Sequence, residues 1–96
     1  MADVAVGCTA QSDGWACRVV VTEGSSRTEH SVIVARADLA RFAPADNEPN
    51  DLVRRSFEFL LAREPKETIL RRFALTDIAR YFPEWETEMS ERSTRA

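Results

Sequence analysis

Apolar residues alternate with small or polar ones through the first third of the chain. Val4, Val6 and Cys8 are spaced by two, the spacing resumes at Trp15, Cys17, Val19 and Val21, and it returns at Thr28, His30, Val32 and Val34. A period of two predicts strands with one buried face. Asp13-Gly14 carries the signature of a type I′ turn and Gly24-Ser25 that of a type II′ turn, so the three strands read as an antiparallel meander over about 3–35. With those turns Cys17 lies across from Val32 and Val19 from His30. Cys8 and Cys17 share a face but stand diagonal to each other, and a disulfide would need a shifted hairpin. They are read as free thiols packed as small hydrophobes. His30, the single histidine, is read as a packed residue bonded to a neighbour.

The period changes at "ARADLARF", where Leu39 and Phe42 behind Asp38 predict one or two helical turns. "APADNEP" follows as an exposed connection. From Pro49, the apolar positions Val53, Phe57, Leu60 and Leu61 fall at i, i+4, i+7 and i+8, the stripe of an amphipathic helix. "EPND", "EPKE" and "FPEWE" then repeat one arrangement, a proline at a helix start with an acid close behind it facing the positive end of the helix dipole. Pro65 therefore breaks the helix at Glu64. A second helix is expected from Pro65 to about Phe73 with Ile69, Leu70 and Phe73 inward, a third capped by Thr76-Asp77, and a fourth around Trp85 and Met89.

The fold class expected is α+β: a three-stranded antiparallel meander followed by three to four short helices over about 49–89, packed on one face. A length of 96 residues suits one domain, placed at 1–90, with 91–96 as a frayed polar tail. A net charge of -3 speaks against a general nucleic-acid binder, although from Asp51 to Phe82 seven basic residues face five acidic ones. No apolar run reaches the length of a membrane span and no signal peptide is visible, so the expected compartment is the cytoplasm, with no membrane partner. Two cysteines and one histidine fall short of a tetrahedral metal set, and no phosphate loop, nucleophile elbow or zinc-protease motif occurs. No catalytic residue, metal or cofactor is assigned.

The words "RSFEFLLAREPKETILRRF" and "IARYFPEWE" resemble a family of small bacterial proteins that carries no established activity. "VTEG" and the strand holding Thr28, His30, Val32 and Val34 extend the resemblance upstream. Trp85 stands where the pattern has Tyr, and the N-terminal extension with Cys8 lies outside it. The resemblance implies no ligand or catalytic residue. The function expected is a protein-interaction or regulatory module, its partner another protein or a second copy of the chain. Tyr81, Phe82, Trp85 and Met89 are the candidate contact residues, large side chains close to a polar terminus that either form an exposed patch or fold back to complete the core. The alternative is a DNA or RNA regulator using Lys66, Arg71, Arg72 and Arg80.

Overall fold

The computed structural model describes residues 2–42 and 48–94, with side chains described up to Met89. Three long strands, β1 (Asp3–Gln11), β2 (Gly14–Glu23) and β3 (Ser26–Ala35), form the antiparallel meander. Helices α1 (Arg36–Phe42) and α2 (Pro49–Leu61) follow, and the expected exposed connection between them falls largely on 43–47, outside the described residues. The chain then makes a 3-10 turn (Lys66–Thr68), a short strand β4 (Arg72–Ala74), a second 3-10 turn (Leu75–Asp77), and helices α3 (Ile78–Tyr81) and α4 (Glu84–Thr94).

One face of the sheet is the core wall. Val19, Val21, Val32 and Val34 are fully buried there, facing Leu52, Val53, Phe57 and Leu75. The opposite face, with Ala5, Gly7, Arg18, Ser31 and Ile33, is open to solvent. This is the half-solvated sheet that strict alternation encodes.

Two expectations are corrected. The sheet has four strands in the order β1-β2-β3-β4, with β4 parallel to β3, because the segment expected as a second helix is extended. Helix α2 stops at Leu61, Pro65 is extended, and Ile69 leaves the 3-10 turn at ψ 133. Arg71 then gives its carbonyl to the Ser31 N–H at 2.7 Å, which starts the parallel ladder. The C-terminal helix runs to Thr94.

The second correction concerns the cysteines, which form a Cys8–Cys17 disulfide. The first hairpin turns on Ser12-Asp13, with Gln11 paired to Gly14, so the register is shifted by two from the one that an Asp13-Gly14 turn would set. That shift brings Cys8 directly across from Cys17, with Cα atoms 4.0 Å apart. The second hairpin turns on Gly24-Ser25 as expected, and the φ of 62 at Gly24 is the left-handed geometry that favours glycine there. The bond closes a loop spanning a sequence separation of 9, so reduction, or Cys8→Ala with Cys17→Ala, is expected to lower stability by about 2.5 kcal/mol. Urea unfolding with and without dithiothreitol reads this directly, and identical midpoints would contradict it.

His30 joins the sheet to the segment entering β4. It is buried, its Nδ1 lies 2.8 Å from the Leu70 carbonyl oxygen, and its Nε2 lies 2.8 Å from Thr28 Oγ1. A carbonyl can only accept, so Nδ1 carries the hydrogen, and in the neutral ring Nε2 accepts from the Thr28 hydroxyl. Phe57 packs on the imidazole with ring centroids 5.2 Å apart. His30→Phe keeps the bulk and leaves the Leu70 carbonyl without its donor. It is expected to cost about 1–3 kcal/mol and to speed amide exchange in β4; an unchanged urea midpoint would contradict this role.

Candidate functional site

The segment that His30 anchors also forms one wall of an open groove. The end of α2 supplies Leu60, and Glu64 follows just beyond it. The first 3-10 turn and the run into β4 bring Thr68, Ile69, Leu70 and Phe73, and the far wall is Asp77, Ile78, Tyr81 and Phe82. The cavity between them measures about 430 Å³. Leu60, Ile69, Phe73 and Ile78 are buried and form its floor.

The rim is apolar and exposed. Among the described residues three large hydrophobic side chains are strongly solvent-facing, and two of them, Leu70 at 49% and Tyr81 at 67% exposure, flank this groove. Phe82 is half-buried and meets Phe59 edge-on at 5.9 Å. The local reason for the opening is the shortness of the covering elements: β4 has three residues and α3 has four, too few to roof the end of α2.

Charge at the groove has one sign. Glu64 and Asp77 line it, and among the described residues no Lys, Arg or His does. Each carboxylate also organises its own loop. Glu64 Oε1 is 2.9 Å from the Thr68 hydroxyl, and Asp77 Oδ2 accepts the Ala74 N–H at 3.1 Å. Asp77 was expected to cap the helix that follows it, yet it reaches back to β4 instead.

Trp85 and Met89 do not belong to this surface. Both are fully buried, which leaves them no area to offer a partner. Trp85 packs on Phe42 with tilted rings, centroids 4.9 Å apart, and its Nε1–H donates to Ser56 Oγ at 3.0 Å, while the Ser56 hydroxyl donates to the Leu52 carbonyl at 2.8 Å. Of the four candidate contact residues, Tyr81 and Phe82 remain at the surface.

The basic candidates are also divided. Lys66 has a side chain only 3% exposed, and its ammonium meets two carboxylates. Nζ is 2.6 Å from Glu67 Oε2 and 3.5 Å from Glu23 Oε1, so the residue ties the first 3-10 turn to the β2–β3 hairpin. The hydrogen bond that Lys66 donates to Glu67 raises the pKa of Lys66, and the same bond holds the Glu67 carboxyl below its ordinary value. Arg71, Arg72 and Arg80 are exposed. Arg80 lies 4.0 Å from Asp77, while the charge of Arg71 helps, after Arg18 and Arg27, to keep Glu29 low on the solvent face of the sheet.

Among the described residues no group of three potential metal ligands is found, and no helix is long and apolar enough to cross a membrane. No family model matches the chain, and neither the curated proteins nor the solved structures yield a match. The Leu70 position was missed as a surface feature because its segment was read as helical; the one signal for a strand was the alternation of Phe73 and Leu75.

Proposed function

We propose that the protein is a non-enzymatic interaction module of the small bacterial family its sequence resembles, acting in the cytoplasm by docking a partner protein on the Leu70–Tyr81 groove. The observation that carries this reading is the placement of Leu70 and Tyr81 on the two walls of one apolar cavity. Exposed apolar surface is costly in water, and a rim of large side chains over a buried apolar floor is the arrangement of an interface anchor. The Cys8–Cys17 bond lies in the β1–β2 pair, across the sheet from β4, so docking is independent of its oxidation state. A nucleic-acid reading would have to rest on Arg71, Arg72 and Arg80 without Lys66.

A photocrosslinking amino acid at position 81, compared with one at position 33 on the open sheet face, tests the proposal. The expected result is a discrete protein adduct from 81 whose purified partner binds the wild type and not Leu70→Asp. Adducts from 33 alone, or a partner that binds Leu70→Asp equally well, would refute it. A retardation gel at low salt checks the nucleic-acid alternative, which a shift abolished by Arg71→Ala with Arg72→Ala would favour.

A further inference from the structure

We infer that the occupant of the groove is an extended segment of the partner chain, lying along the outer edge of β4 as a short fifth strand. One apolar side chain enters the cavity, and a Lys or Arg two residues away faces Glu64 or Asp77. The inference rests on the docking reading above and specifies its chemistry.

Backbone groups supply the first argument. Among the described residues β4 is the last strand of the sheet, with β3 on one side only. The Arg71 carbonyl points to β3, where the Ser31 N–H takes it, and alternation along a strand turns the N–H and C=O of Arg72 the other way, to the outer edge. Asp77 has already claimed the next amide on that edge, the Ala74 N–H. What is left is one residue, Arg72, whose N–H and C=O can donate and accept, suited to a single step of strand addition.

Side chains supply the second. Phe73 of β4 points to the cavity floor, so a strand added beside β4 sends every second side chain onto the same side, into the cavity beneath the edge. A volume of about 430 Å³ accepts one or two apolar side chains and is too short for a docked helix with several turns. The third argument is charge: two carboxylates and, among the described residues, no cation line the site, with Arg80 4.0 Å from Asp77 at its margin, so a basic residue adjacent to the apolar anchor is favoured, most of all beside Glu64, and an acidic one is repelled.

Panning a random heptapeptide phage library on the wild type, with prior clearance on Leu70→Asp, tests this. The enriched peptides are expected to carry an apolar residue with Lys or Arg two positions away. A synthetic copy of the best one should bind about tenfold more weakly when that base becomes Gln. It should weaken similarly on Glu64→Gln with Asp77→Asn, a variant that keeps acceptors for Thr68 and Ala74. An N-methyl scan of the peptide should find a sensitive amide. Uncharged or acidic consensus peptides, undiminished binding to the double variant, or tolerance of N-methylation at every position would overturn the inference while leaving the groove as a docking site. Binding that survives Leu70→Asp, or no enrichment over that variant, would bring down both.

Discussion

Trp85→Ala is expected to lower the unfolding free energy by about 3–5 kcal/mol, the range for removing a large aromatic from a close-packed core. The indole is fully buried where α1, α2 and α4 meet, against Phe42 at 4.9 Å and with its N–H on Ser56. Truncation removes dispersion contacts, opens a cavity, and takes away the donor that Ser56 Oγ accepts while the serine remains buried. The surface links of α4 cannot replace that anchor. Arg41–Glu86 at 3.1 Å and Arg63–Glu88 at 2.9 Å are partly exposed ion pairs, a type that contributes about 0–1 kcal/mol each. Trp85→Phe, which keeps most of the volume, should recover more than half of the loss. Guanidinium unfolding measures both, and a loss below about 1 kcal/mol for the alanine variant would show that α4 is not part of the cooperative core.

Gly14→Ala is expected to cost about 3 kcal/mol, the upper end for overpacking, since the atoms in the way are backbone and cannot turn aside. Gly14 is the first residue of β2, paired on one side with Gln11 and on the other with Ala35. A Cβ there would fall within the van der Waals shell of the Val34 carbonyl oxygen and meet the Ala35 Cα and the Arg36 amide nitrogen. The strands would have to part where the β3–α1 junction is held by the Arg36 N–H donating to the Asp13 carbonyl at 2.9 Å. Gly7, with open space where its Cβ would go, is the control, and Gly7→Ala should leave the denaturation midpoint within about 0.5 kcal/mol of wild type. Equal midpoints for the two alanine variants would contradict the packing described around Gly14.

These two sites also show what the residue pattern could convey. The alternation of Val19, Val21, Val32 and Val34 determines which sheet face is buried, and Val53, Phe57 and Leu60 determine the packing side of α2, because each signal repeats along its element. Register is a different matter, since one turn sets it. Asp13-Gly14 has the composition of a turn centre, yet Gly14 is needed one step later, for close approach to Val34, and that displacement carries Cys8 opposite Cys17. β4 was hidden because Ile69 and Phe73 are four apart, a helical spacing, while the contacts that hold the segment extended come from His30 and Ser31 about 40 residues away. Pro65 gives the break its position, but not the conformation that follows. Of the groove, Tyr81 and Phe82 were legible as large side chains near a polar end; Leu70, Glu64 and Asp77 join them only through the path of β4.

The central claim is that this groove is where the protein meets its partner, and amide chemical-shift mapping tests it most directly. Titrating the 15N-labelled protein with the purified partner, or with the peptide selected against the groove, should perturb resonances from Ile69 to Ala74 and from Ile78 to Phe82. β1 and the Phe42–Trp85 contact should stay unchanged. Perturbations centred on Gly7, Arg18 and Ile33, on the open face of the sheet, with the groove silent, would contradict the account.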